Sequence, residues 1–96
     1  MPSYHLSNAA ADDLAGIAAF TIERFGTEQA RRYRDQFETC FQTLAENPKL
    51  GRDAEEVSEG LRRFEHQSHV IFYQPGDAGI LIVRILHQSM DVPRHF

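Results

Sequence analysis

The sequence has few of the residues that cross-link a small protein or attach it to a membrane. It contains one cysteine, Cys40, no tryptophan and one lysine, Lys49. A single cysteine cannot form an internal disulfide, which is typical of a reducing compartment. No apolar stretch approaches the roughly 18–20 residues of a membrane span, and no basic segment precedes an apolar one near the N-terminus. We therefore expect a cytoplasmic protein without membrane contact.

Length and charge predict one domain that does not bind nucleic acid strongly. A chain of 96 residues suffices for one hydrophobic core, so residues 1–96 are expected to form a single domain. The formal net charge is −4, with ten basic residues against fourteen acidic ones, which disfavours tight or specific contact with nucleic acid. All basic residues except Lys49 are arginines, which suit planar, bidentate contacts with carboxylates.

The first half of the chain predicts a helical hairpin. Ser7 or Asn8 can cap a first helix, and Gly26 can end it. Thr27 can cap a second helix, which ends before Pro48 because the residue before a proline resists helical geometry. Apolar residues recur at intervals of three or four in both helices. With so short a turn between them, the two helices should lie antiparallel.

Strand-like segments precede and follow this hairpin. Residues 3–7 alternate roughly between polar and apolar side chains, and the second half of the chain adds candidates at 61–66, 69–74 and 79–87. Tight turns separate the last three, so they should form antiparallel hairpins. The last strand is almost uniformly apolar, so both of its faces should be covered and it should be central or partly shielded. The order β-α-α-β-β-β is that of an α+β domain, with the N-terminal strand and helical hairpin packed on a small antiparallel sheet.

Five blocks of the sequence resemble one known family. They are YHLSNAAADDLAGI, the helix end ERFG followed by EQARRY, NPKLGR, LRRFEHQSHVIFY and VRILHQSMD. Over nearly the whole chain they resemble the ParE toxins of the ParE/RelE superfamily, the toxin halves of bacterial type II toxin–antitoxin modules. The resemblance implies a toxin that inhibits DNA gyrase and blocks replication. It also implies neutralisation by a ParD-like antitoxin in a hetero-oligomeric complex.

RelE-like relatives share this fold but cleave messenger RNA on the ribosome, and the residues present disfavour that reaction. It needs a base for the 2′-hydroxyl, cations that stabilise the transition state, and an acid for the leaving oxygen. The RelE-like enzymes use Lys and Arg, with a Tyr or His near the C-terminus. Here the second helix has no lysine and no tyrosine follows Tyr73, although His87 could act as an acid or a base. We expect no catalytic residue and no enzymatic activity. A RelE-like ribonuclease and a toxin-derived binding protein without its poison are the alternatives.

Arg84 stands out because it lies inside the apolar last strand. Strict alternation places it on one face with Ile80, Ile82 and Leu86. A buried arginine needs a partner. Either an internal salt bridge, for example to Glu65, or a carboxylate of the antitoxin is therefore expected. Both remain open, since arginine is enriched in buried ion pairs and at interface hot spots.

Further residues are candidates for contact with the antitoxin or the target. Phe20 remains near the surface if the sheet covers the other apolar residues of the first helix, and a groove for an amphipathic partner could form there. Met90 lies where the last strand leaves the core, and methionine is an adaptable contact residue. The candidate binding residues are Phe20, Arg24, Phe25, Arg62, Arg63, Arg84, His87 and Met90.

No metal site and no cofactor are expected. His66 and His69 flank a turn and could imitate a zinc site together with His87. No cysteine or other fourth ligand follows at a suitable spacing, and histidines at turns are commonly plain hydrogen-bonding groups.

Overall fold

The computed structural model describes residues 2–96, and its elements follow the predicted order. Strand β1 (Ser3–Leu6) precedes helices α1 (Asn8–Phe25) and α2 (Thr27–Glu46), strands β2 (Arg52–Asp53), β3 (Arg62–His66), β4 (His69–Pro75) and β5 (Gly79–His87), and a 3₁₀-helix (Val92–His95). The α+β class, the helical hairpin and the three C-terminal strands are confirmed. Strand β2 is additional: Arg52 and Asp53, in the segment between α2 and β3, pair with β3.

The strands form one sheet in the order β1-β5-β4-β3-β2. The predicted central place of β5 is confirmed, since it lies between β1 and β4. Strands β2 to β5 pair antiparallel, whereas β1 runs parallel to β5, so the sheet is mixed. Alternation along a strand specifies its two faces but not the direction of its neighbour.

The helix ends follow from the capping residues. The Ser7 hydroxyl accepts a hydrogen bond from the N–H of Ala10 at 3.0 Å, which selects Ser7 over Asn8 as the cap of α1. Gly26 has a φ of 93° and serves both as the last cap of α1 and as the first cap of α2. The predicted cap at Thr27 is therefore wrong: Thr27 is already helical, because one glycine makes the whole turn.

Both faces of the sheet are covered. On one face the helices pack against the strands through a core that includes Phe37, Phe41, Leu44, Ile71, Tyr73 and Ile82. A second, smaller core lies on the other face and contains Ala54, Leu61, Val70, Phe72 and Leu86, with Val92 packed against it. The loop before β3 and the C-terminal 3₁₀-helix thus cover the face that the helices leave open.

A bulge in β5 changes which residues share a face. Phe72 pairs with Arg84 but the next residue, Tyr73, pairs with Ile82, so Val83 is an extra residue in β5. Ile82 packs in the helix-side core, whereas Arg84 is in register with Phe72 of the other core. The prediction that Arg84 shares a face with Ile80 and Ile82 is therefore wrong, because alternation assumes an uninterrupted pleat.

No helix among residues 2–96 combines the length and apolar character needed to cross a membrane.

Candidate functional site

An open groove of about 590 Å³ runs between the helical hairpin and the adjoining ends of β4 and β5. Helix α1 supplies Ile17, Phe20, Thr21 and Phe25, helix α2 supplies Gln29 and Tyr33, and the strand ends with their turns supply Gln67, Ser68, His69, His87 and Met90. One wall is thus mainly apolar, and the opposite end is polar. This is the shape of a site for an amphipathic segment of another chain.

The apolar wall is unusually exposed for a small protein. Phe20, Phe25 and Met90 expose 58%, 67% and 46% of their surface. The guanidinium carbon of Arg24 lies 5.3 Å from the centroid of the Phe20 ring, in the range of a cation–π contact. A cluster of exposed apolar side chains beside a groove is typical of a protein-binding surface, whereas single exposed apolar residues are common on any protein.

Three histidines form a row across the polar end. His69 pairs in register with His66 on β3 and with His87 on β5. The ring centroids of His69 and His87 are 5.4 Å apart. The hydroxyl of Tyr33 lies 2.9 Å from Nδ1 of His69, which ties this row to α2. We name these three residues the histidine row.

Burial favours the neutral form of two members of the histidine row, His66 and His69. It lowers the pKa of His66, and it is the main cause that lowers the pKa of His69. The neighbouring charges of His87 and His66 lower the pKa of His69 further, because like charges repel. Burial also raises the pKa of Tyr33, so its hydroxyl stays protonated.

His87 is oriented by the turn that follows β5. Its Nδ1 accepts a hydrogen bond from the N–H of Ser89 at 3.1 Å and lies 2.7 Å from the Ser89 hydroxyl. An accepting Nδ1 places the ring proton on Nε2.

Arg84 is held within the molecule. Its Nε and Nη2 each donate to a carboxylate oxygen of Asp13 at 2.8 Å, and its Nη1 donates to the carbonyl of His95 at 3.1 Å. The hydrogen bonds that Arg84 donates to Asp13 are the main cause that raises the pKa of Arg84. The internal salt bridge exists, but the suggested partner was wrong: Glu65 instead accepts from Arg52 at 2.9 Å. Asp13 reaches Arg84 because β5 projects past the end of β1 beneath α1.

The other two strand arginines among the predicted binding residues, Arg62 and Arg63, are also engaged away from the groove. Arg62 donates from Nε to the carbonyl of Gly51 at 2.9 Å. The Arg63 guanidinium carbon lies 5.3 Å from the centroid of the Phe72 ring, on the sheet face opposite the helices. Within residues 2–96, Nε of Arg63 is buried without a hydrogen-bond partner.

The structure thus divides the predicted binding residues into two sets. Phe20, Phe25, His87 and Met90 line one groove, and Arg24 stacks beside it. Arg62, Arg63 and Arg84 do not line it. Whether any of the eight contacts a partner stays a prediction.

Sequence reasoning missed Tyr33 and His69 as groove residues. A helical spacing of four residues between Tyr33 and Phe37 is typical of two core positions, and the position of His69 beside a turn indicates an ordinary hydrogen-bonding role. The register of the hairpin is the signal that predicts part of the histidine row. A two-residue turn at Gln67-Ser68 places His66 opposite His69.

A reactive thiol and a metal site are the other kinds of chemistry to consider. Burial raises the pKa of the Cys40 thiol to about 11, which leaves little of the reactive thiolate at neutral pH. Among residues 2–96, no group of three or more metal-ligating side chains is close enough together to hold an ion.

Comparison with known proteins assigns the family. The family described as "ParE toxin of type II toxin-antitoxin system, parDE" matches residues 4–92. Toxin ParE1 of Caulobacter vibrioides is 38% identical over 95 residues, which cover 99% of this chain and 98% of that protein. Toxin ParE1 of Mycobacterium tuberculosis is 39% identical over 93 residues, which cover 96% and 95%.

A solved structure shares the fold. A chain from "Chromosomal ParDE TA system from P. aeruginosa" has a TM-score of 0.75 at 24% identity, covering 91% of this chain and 96% of that one. The family match and the sequence identity over nearly the full length agree with this fold. The chain therefore belongs to the ParE toxin family of type II toxin–antitoxin systems.

Proposed function

We propose that this chain inhibits DNA gyrase when it is free, and that a ParD-like antitoxin neutralises it by occupying the groove. The family match over residues 4–92 is the observation that carries the proposal. Gyrase is the target that the ParE resemblance implies. The protein acts by occupying the surface of another macromolecule and not by breaking bonds.

The apolar wall supports binding of an antitoxin segment. Burying a phenylalanine side chain stabilises a complex by roughly 1.5–3 kcal/mol. Phe20 and Phe25 are both largely exposed in the free chain, so a partner can gain most of this free energy from each. An amphipathic helix supplies the apolar side chains at the required spacing.

The arrangement of cations and histidines supports a non-enzymatic role. His87 faces the groove on the helix side of the sheet, whereas Arg63 and Arg84 lie by the core on the other face. A ribonuclease needs its acid–base group and its cations around one phosphate. Arg84 would also have to leave Asp13 before it could stabilise a transition state.

The target is tested with purified toxin and gyrase. We expect the toxin to inhibit supercoiling by gyrase, and to filament cells and induce a DNA-damage response when expressed without antitoxin. Transcripts in a translation mixture should stay intact. Transcript cleavage without any effect on supercoiling would show a RelE-like ribonuclease and overturn the proposal.

The groove is tested by truncating its exposed aromatic residues. Phe20→Ala combined with Phe25→Ala should weaken antitoxin binding by roughly 30- to 1,000-fold, since each truncation removes about 1–2 kcal/mol of apolar burial. Leu50→Ala is the matched control, because Leu50 is 52% exposed but lies in the loop before β2. Equal affinities of both variants, measured by calorimetry, would place the antitoxin elsewhere.

A further inference from the structure

The polar end of the groove can acquire charge of only one sign near neutral pH. Among the described residues that line the groove, the titratable ones are Tyr33, His69 and His87, and none is acidic. Tyrosine keeps its proton in this range, so protonation of a histidine is the one change available. An occupant that brings a carboxylate would meet a complementary charge, and one that brings an ammonium would not.

Two ring nitrogens are left for such a carboxylate. Nδ1 of His69 is engaged by the Tyr33 hydroxyl, and Nδ1 of His87 is engaged by Ser89. Within residues 2–96, no protein hydrogen bond reaches Nε2 of either ring. The ring centroids are 5.4 Å apart with the ring planes at 90°, so the two rings are close enough for one carboxylate to contact both.

We propose that the antitoxin segment in the groove places an Asp or Glu side chain between His69 and His87, and that binding takes up a proton at this pair. This inference rests on the proposed function, because it names the chemistry that the antitoxin must present there. The apolar wall then supplies affinity, and the histidine pair supplies register and specificity.

The surroundings of the pair favour a carboxylate from outside the chain. Helix α1 presents only uncharged side chains to the groove, and its Arg24 stacks on Phe20. On β3, His66 adds a third imidazole, and Asp35 and Cys40 of α2 line the far side of His66. After β5, Asp91 lies 3.6 Å from Arg94.

Tyr33 allows His69 to change its protonation state without losing a contact. A hydroxyl donates to an unprotonated Nδ1 and accepts from a protonated one. The free chain holds the pKa of His69 below the usual value, through burial and the two neighbouring histidines. A carboxylate within about 4–6 Å acts in the opposite direction and raises that pKa.

Affinity for the antitoxin should depend on pH. His69 is neutral in the free toxin at neutral pH and gains a proton in the complex. Affinity should therefore increase as the pH falls from 8 to 6, by at most about tenfold per pH unit for one proton.

Calorimetry with the full-length cognate ParD-type antitoxin tests the inference. Titrations at pH 7.0 in buffers of different ionisation enthalpy, with EDTA present to remove metal ions that could bridge the pair, should reveal uptake of up to about one proton. His69→Gln should abolish this uptake and weaken binding at pH 6.5 by roughly 10- to 100-fold. His87→Gln should weaken binding in the same direction and serves as the second variant if His69→Gln is unstable.

A double-mutant cycle identifies the carboxylate. Acidic residues of the antitoxin are changed to amides one at a time, and one of them should reproduce the loss seen in His69→Gln. When that change is combined with His69→Gln, the affinity should fall little further than in either single variant. His5→Gln on exposed β1 is the control and should bind with wild-type affinity and proton uptake.

The outcomes separate this inference from the proposed function. Binding that needs Phe20 and Phe25 but shows neither proton uptake nor pH dependence overturns the carboxylate contact and leaves the groove as the antitoxin site. Proton release on binding also overturns it. Absence of antitoxin binding at every pH overturns the proposed function, and this inference with it.

Discussion

At the scale of single residues, Asp13 connects more parts of the molecule than its place on a helix suggests. Its carboxylate accepts from two nitrogens of Arg84 and from the N–H of Ile85 at 2.9 Å. Arg84 in turn donates to the carbonyl of His95. Helix α1, strand β5 and the C-terminal 3₁₀-helix therefore meet at one ion pair, whose side chains are only 15% and 20% exposed.

Removing one partner of this ion pair should destabilise the fold. Asp13→Ala leaves Nε and Nη2 of Arg84 and the N–H of Ile85 without acceptors, and we expect the free energy of unfolding to fall by about 2–4 kcal/mol. Urea denaturation measures the change.

A surface ion pair provides the control. Arg52 and Glu65 are 68% and 62% exposed, so Arg52→Ala should cost less than about 1 kcal/mol. Similar losses in Asp13→Ala and Arg52→Ala would mean that the Asp13 pair is as weakly coupled to folding as an exposed one.

At the scale of elements, β1 is held by a close approach of two backbones. It pairs with β5 from Ser3 opposite Gly79 to Leu6 opposite Ile82. A Cβ atom on Gly79 would overlap the backbone of Ser3. Strand β1 can approach β5 this closely because the partner strand begins with a residue that has no side chain.

Two glycine substitutions should therefore have opposite effects. Gly79→Ala should displace β1, lower the free energy of unfolding by about 1–3 kcal/mol, and speed hydrogen exchange in Ser3–Leu6. Gly16→Ala, in the exposed middle of α1 where a Cβ meets nothing within 4 Å, should raise it by about 0.5–1 kcal/mol. Wild-type exchange rates in β1 of Gly79→Ala would contradict the close-approach explanation.

At the scale of the whole molecule, His66 and His69 make the free energy of unfolding depend on pH. His66 and His69 have lowered pKa values in the folded chain, mainly through burial, whereas unfolding restores their ordinary value. Just below pH 6.5 the unfolded state therefore binds more protons than the folded state. Lowering the pH in this range favours unfolding. The contribution of the two residues is present above that pH and is lost as the pH falls through their folded values.

We expect the free energy of unfolding to decrease between pH 7.5 and 5.5, with a slope of at most about 1.4 kcal/mol per pH unit for each histidine. Denaturation at a series of pH values measures this slope. His66→Gln and His69→Gln should each flatten the profile, whereas His5→Gln on exposed β1 should leave it unchanged. A profile that stays steep in the double variant would assign the dependence to other groups.

The helices and strands were largely determined by the sequence alone. Apolar residues at intervals of three or four, Gly26 and Pro48 predicted α1 and α2 closely, and short apolar runs between turn residues predicted β3, β4 and β5. These signals are local, because the period of a helix or strand is set by backbone geometry within a few residues. The exposure of Phe20 and the central place of β5 followed from the same patterns.

Tertiary structure alone decided which residues act together. The bulge at Val83 sets the face of Arg84, and the partner of Arg84 is Asp13, 71 residues earlier in the chain. The parallel pairing of β1 and the contact of Tyr33 with His69 likewise depend on how helices cross the sheet. The register of the strands and the way the helices cross the sheet are set by contacts between distant segments, which no local pattern specifies. The groove and its histidine row exist only once those contacts have formed.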